Sequence, residues 1–185
     1  MNMNTNMNMN INKEGLEIIN NLSFCLEEFI IKILCLDQAT KISGYSLFED
    51  KKLITYGILQ ADTKEKNPIE RMKQMNDRMI ELIDKHKPDF IVFEDIQFQQ
   101  NYGTFKQLGQ LQGILMAYLF KLDVGFQIIE PSAWKSFCGI KGRKREEQKK
   151  NTQAFVKMKY KLDVGEDIAD AIGIGVWAIN NIKIK

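Results

Sequence analysis

From Ile30 onward the chain alternates between short apolar runs and longer amphipathic stretches. The run "IIKILCLD", residues 30–37, is apolar almost throughout and ends in Asp37, as a strand buried on both faces would. "KISGYSLFED" and "KKLITYGILQAD" follow after very short gaps, which predicts a three-strand antiparallel meander. Asn67-Pro68 then offers a helix cap followed by proline at the first helical position. The helix it opens carries Ile69, Met72, Met79, Leu82 and Ile83 on one face and stops before Pro88. "DFIVFED" reads as a second buried strand, ending in Glu94. Helical spacing returns over 102–121 through Phe105, Leu108, Leu111, Leu115 and Leu119, and "VGFQIIEP" reads as a fifth strand. A short helix at "SAWKSFC", a longer one ending near Tyr160 and a last one at "GEDIADAIGIGVWAIN" complete the pattern. Meander strands followed by alternating helices and strands predict an α/β domain over 30–185, a mixed sheet flanked by helices.

The N-terminal 29 residues differ. "MNMNTNMNMN" is polar and low in complexity, with too little apolar surface to offset its ordering entropy, and is expected to be disordered. Residues 14–29 space Leu16, Ile19, Leu22 and Leu26 as a short amphipathic helix, so 1–29 reads as a leader to the domain. The composition is that of a globular chain, 185 residues with 44% hydrophobic and 27% charged. A formal net charge of +2 excludes a global polyelectrolyte, so any nucleic-acid footprint must be a local patch. Cys25, Cys35 and Cys138 form no C-x-x-C pair, which argues against a disulfide scaffold or zinc site and for a reducing cytoplasm. No apolar run approaches the roughly 18 residues that span a bilayer, so no membrane association is expected.

Candidate chemistry rests on acids. Asp37 and Glu94 each end an apolar strand, where α/β sheets place their ligands. Asp167 and Asp170 are three apart and so neighbours on one helix face. The stripe Ile168, Ala171, Ile172, Gly175 and Ile179 would press that helix onto the sheet. Taken singly, a strand-end acid is explained by a turn, and the aspartate pair by the positive end of a helix dipole. If the helix crosses both strand ends, four carboxylates converge, and such a cluster calls for a cation. Carboxylate oxygens suit magnesium or manganese, and two such ions about 3.5–4 Å apart support phosphodiester hydrolysis.

Positive charge is concentrated in "KGRKREEQKK". Lys141, Arg143, Lys144, Arg145, Lys149 and Lys150 stand against Glu146 and Glu147, a surplus that exceeds the net charge of the whole chain. Beside a carboxylate site this suits phosphate binding, with Lys135 a further contact; by itself it is a solvated helix start. The one histidine, His86, leaves no Ser/His/Asp triad and reads as a surface residue. Trp134 and Trp177 read as packing residues, and Gly173 and Gly175 as close-packing positions within a helix.

Four blocks, in order, resemble the RuvC-type Holliday junction resolvases. "LDQATKISGYSLF" is similar to D-P-G-x-x-x-x-G-Y, and "FEDIQFQQNYGTFKQLGQLQGIL" to E-x-x-F-x-x-x-N followed by L-G-Q-x-x-G. "EPSAWKSFCGIKG" with Lys149 or Lys150 is similar to P-x-x-x-K and the basic region after it, and "DIADAIGIGVWA" to D-A-A-D-A-L-A-I-A. The resemblance spans about residues 32–180 and implies an RNase H-like fold with a five-stranded sheet, three strands antiparallel and two parallel. It also implies a homodimer joined near 102–121 that cuts four-way DNA junctions with two magnesium ions per site. Asp37, Glu94, Asp167 and Asp170 would be the catalytic metal ligands, with Phe98 and Asn101 at the DNA. Gln38 and Ala39 stand where the family has Pro-Gly, and Gln97 where it often has an aromatic, with Phe98 one step on. The long basic loop looks more like phage-type members, in a bacterial or phage-infected host cytoplasm. Two other readings remain open here: a related nuclease acting on flaps or RNA/DNA hybrids, and a junction-binding protein without catalysis.

Overall fold

The computed structural model describes residues 30–98 and 101–183. The leader helix expected at 14–29 lies outside the described residues. All elements below fall in the compact unit Ile31–Lys185. Strands β1 (Lys32–Asp37), β2 (Ile42–Glu49) and β3 (Lys52–Gln60) form the meander, followed by α1 (Pro68–His86) and β4 (Phe90–Glu94). Then come α2 (Tyr102–Leu122), β5 (Gly125–Ile129), α3 (Pro131–Phe137), α4 (Arg145–Tyr160) and α5 (Glu166–Asn181). The sheet order is β3-β2-β1-β4-β5, with β1, β2 and β3 antiparallel in turn and β4 and β5 continuing parallel to β1. This is the mixed five-stranded sheet expected.

Local chemistry sets the boundaries. Asn67 caps α1 by accepting from the Ile69 N–H at 3.0 Å, with Pro68 in the first turn. Lys87 ends it in the left-handed region, its N–H donating to the Ile83 carbonyl at 2.7 Å. Ile69, expected on the buried face of α1, is 70% exposed. It lies roughly 90° around the helix from the centre of the arc formed by Met72, Met75, Met79, Leu82 and Ile83. Met75, fully buried, completes that arc.

The pleat divides the core into two layers. Leu34, Leu36, Ile91 and Phe93 face α1 and α2, meeting Met75, Met79, Leu111 and Leu115. Ile33, Cys35 and Val92 face the other way, onto Trp134 of α3 and Ile174 and Ala178 of α5. By the same alternation Asp37 and Glu94 fall on the α3–α5 face. Helix α4 covers the outside of α5 through Val156, so α5 is buried nearly all round and not along the single stripe expected. Gly173 and Gly175 make this possible: a Cβ there would lie 2.5 Å from Trp134 Cζ3 and 2.1 Å from Phe48 Cε2.

Candidate active site

Asp37 and Glu94 are brought side by side by the parallel pairing of β1 and β4. Leu36 is in register with Phe93, and the two acids are the next residues on each strand. The helix pair arrives from the other side. Gly44 of β2 is the register partner of Asp37. A Cβ on Gly44 would come 1.8 Å from the backbone oxygen of Asp167, so the start of α5 rests directly on the glycine backbone. The Ser46 hydroxyl, two residues on, donates to the Ala171 carbonyl at 2.7 Å and holds the next turn. The dipole reading of the aspartate pair is incomplete: α5 is capped by Gly165 with no side-chain cap, and Asp170 lies beyond the first turn.

All four acids line one hollow of about 970 Å³. Among the described residues, no three His, Cys, Asp or Glu side chains close into a ready-made ion cage. Burial raises the Asp37 carboxyl well above the ordinary range, and Glu94, Asp170 and Asp167 push it further, with Lys149 opposing. Asp170 is pushed up to about 6 by burial, with Glu94 adding and Lys135 and Lys149 opposing. Burial also raises Glu94, against the hydrogen bond from Trp134 and the charges of Lys135 and Arg145. Asp37, Glu94 and Asp170 are each penalised for carrying charge, and with Asp167 beside them they make an oxygen-donor set that fits a hard divalent cation, which would reverse the penalty.

The pH dependence has a defined sign. A carboxyl whose folded pKa is raised favours the folded state fully below its ordinary value and loses that contribution as pH rises through the folded value. For Asp170 the window runs from 3.8 to about 6 and corresponds to about 3 kcal/mol. In chelator, Asp170→Asn should melt above the parent at pH 7, and the gap should shrink towards pH 4. Matched thermal melts check this; a gap independent of pH would contradict it.

Trp134, read from the sequence as packing alone, also has a place in the site. Its side chain is fully buried, and its indole Nε1–H donates to Glu94 Oε1 at 2.7 Å, fixing one carboxylate oxygen. Nothing in the local sequence separates this from core packing. The basic residues divide. Lys135, Arg145 and Lys149 line the hollow with the acids, and Lys149 also pairs with the Glu166 carboxylate. Lys141 lines a smaller adjoining hollow of about 440 Å³ shared with Lys135. Arg143, Lys144 and Lys150 line neither. Asn101 lines the main hollow and caps α2, accepting from the Thr104 N–H at 3.0 Å. Phe98 lines neither hollow: it is 62% exposed and edge-on to Phe105, which does line the main hollow, with ring centroids 5.5 Å apart.

Known proteins share this arrangement of sequence and fold. The model of the family described as crossover junction endodeoxyribonuclease RuvC matches residues 33–178. The RuvC of Campylobacter concisus is 32% identical over 163 residues, covering 84% of this chain and 100% of that protein. That of Fusobacterium nucleatum is 24% identical over 161 residues, covering 84% and 83%. Thermus thermophilus RuvC, solved with a Holliday junction substrate, superposes with a TM-score of 0.62 at 16% identity, over 80% of this chain and 91% of that one. Fowlpox virus resolvase, solved with Holliday junction DNA, gives 0.55 at 15% identity, over 81% and 97%. At these identities the solved structures speak to the fold alone. Among the described residues no helix is long and apolar enough to cross a membrane.

Proposed function

The chain belongs to the RuvC family of crossover junction endodeoxyribonucleases, metal-dependent hydrolases acting on DNA, and from that premise we propose that it resolves four-way junctions at the acidic hollow. The observation that carries the residue assignment is the meeting of β1, β4 and α5 acids in one hollow bordered by Lys135, Arg145 and Lys149. Asp37, Glu94, Asp167 and Asp170 would hold the metal, magnesium with manganese as the alternative, two ions per site. When bound, the metal supplies Lewis-acid activation of the attacking water and neutralises charge on the departing 3′ oxygen. The chain does the rest. Lys135, Arg145 and Lys149 hold strand phosphates beside four acids that would otherwise repel them. Trp134 keeps one Glu94 oxygen oriented, leaving the other for the metal. Lys141, Arg143, Lys144 and Lys150 extend the positive field outward, and Asn101 on the wall of the hollow, with the exposed Phe98, would meet the DNA.

Cleavage of a labelled four-way junction with magnesium, and its loss in chelator, tests this reading. Preferential cutting of flaps or RNA/DNA hybrids would favour the related-nuclease reading instead. Tight junction binding without cutting would favour a binding protein.

A second copy of the chain would complete the assembly, since a two-fold dimer matches a two-fold junction. Helix α2 supports this. Tyr102, Gly109, Gly113 and Phe120 recur at helical spacing on the side away from its buried face. The two aromatics are 69% and 67% exposed, and a Cβ on either glycine meets nothing within 4 Å in this chain. Glycine in a helix interior costs about 1 kcal/mol relative to alanine, a cost that close approach of a partner helix would explain. Gly113→Leu is expected to shift the protein from dimer to monomer in light scattering without lowering its monomer melting point. A dimer of unchanged affinity would exclude α2 from the interface.

A further inference from the structure

The hollow continues past the acids toward the α1 face of the sheet, where two side chains have unmet hydrogen-bonding groups. Gln38, the residue after Asp37, is 8% exposed, and neither its Oε1 nor its Nε2 has a partner. Arg71, in the first turn of α1, donates from Nη1 to the Glu65 carbonyl at 3.4 Å, while its buried Nε has no acceptor. Both line the same hollow as the four acids. Buried amides and guanidinium groups are almost always hydrogen-bonded, because burying them unpaired forfeits their hydration.

The layers indicate what would meet these groups. Helices α3 and α4, which carry Lys135, Arg145 and Lys149, lie on one face of the sheet, and α1 lies on the other. A DNA strand crossing the acids would leave the first set of cations and reach Gln38 and Arg71 next. All three unmet atoms are buried in the free protein, so each side chain must turn into the hollow on binding, where the Arg71 guanidinium offers its Nε edge to a phosphate oxygen. A carboxamide with donor and acceptor both unpaired, side by side, matches a base edge, which presents an acceptor beside a donor. We propose that Gln38 reads the base next to the cut and sets the sequence preference of cleavage, with Arg71 holding the adjoining phosphate. This rests on the junction-cutting reading and adds to it a specificity-determining residue particular to this chain.

The full-length protein is tested on junctions varied at the nucleotides flanking the cut, with thermal melts alongside. The wild type is expected to favour one base at one flanking position by roughly tenfold. Gln38→Met, close in shape but without polar atoms, should flatten that preference, lower cutting at the favoured sequence by roughly tenfold, and melt no lower than the parent. Gln38→Glu keeps the acceptor, loses the donor and should flatten it as well. Arg71→Met should lower cutting by a similar factor at all sequences alike, as loss of a phosphate contact does. A wild type without preference, or Gln38 variants with the parental base profile, overturns the proposal. A wild type that cuts no junction in the panel overturns the underlying reading, and the Gln38 assignment with it.

Discussion

Replacing Asp37 with asparagine is expected to slow junction cutting by on the order of a thousandfold while raising the melting point of the chelated protein. The two effects have one cause. Asp37 sits where β1 ends, facing three other acids, and its charged form is opposed first by burial and then by Glu94, Asp170 and Asp167. Its conversion to a neutral amide removes both the burial penalty on the charge and that repulsion, which should raise the melting point. The same change removes an anionic ligand from the proposed metal site, and with it several kcal/mol of transition-state stabilisation. Single-turnover cleavage, junction binding and melting of one preparation check all three. Binding should persist, because Lys135, Arg145 and Lys149, the phosphate contacts proposed above, are left in place along the hollow. A variant that cuts at the parental rate would remove Asp37 from the site.

Gly44→Ala is the second large effect expected, and it acts without touching a functional group. The added methyl would meet the Asp167 carbonyl oxygen at 1.8 Å and its carbon at 2.4 Å. Both obstacles are backbone, so no rotamer change relieves them, and the start of α5 must move away. Overpacking of this kind costs about 1–3 kcal/mol. Displacing Asp167 and Asp170 together by even about 1 Å should lower the cutting rate by on the order of a hundredfold. The diagnostic is the combination of a lower melting point and a rate loss that added metal does not restore. Parental melting and parental cutting together would show that α5 does not depend on this contact.

Much of this protein is legible along the chain, for identifiable reasons. Continuous apolar runs of strand length marked β1 and β4, because strands buried on both faces need apolar residues at every position. The Asn67-Pro68 step marked the start of α1, since a cap and a fixed φ are local properties. Gly173 and Gly175 were legible as close-packing positions, though not what they pack against. Where reading by periodicity went astray, the cause was context. Ile69 fits a helical stripe but lies outside the arc that the sheet covers, and α5 exceeds any single stripe because α4 closes its outer side.

The site divides in the same way. The order of the four acids and their strand-end or helical positions followed from the sequence, because each is a statement about a residue and its immediate neighbours. Only tertiary structure decided that they share a hollow, since that requires the parallel register of β1 and β4 and the contact of α5 on Gly44. It likewise decided that Trp134 donates to Glu94 across 40 residues, and that Arg145 and Lys149 face the acids while Arg143 and Lys144 do not. The physical reason is range. Periodicity and capping act over a few residues, whereas repulsion between carboxylates, a buried indole hydrogen bond and a missing Cβ depend on distances that only the packed layers create.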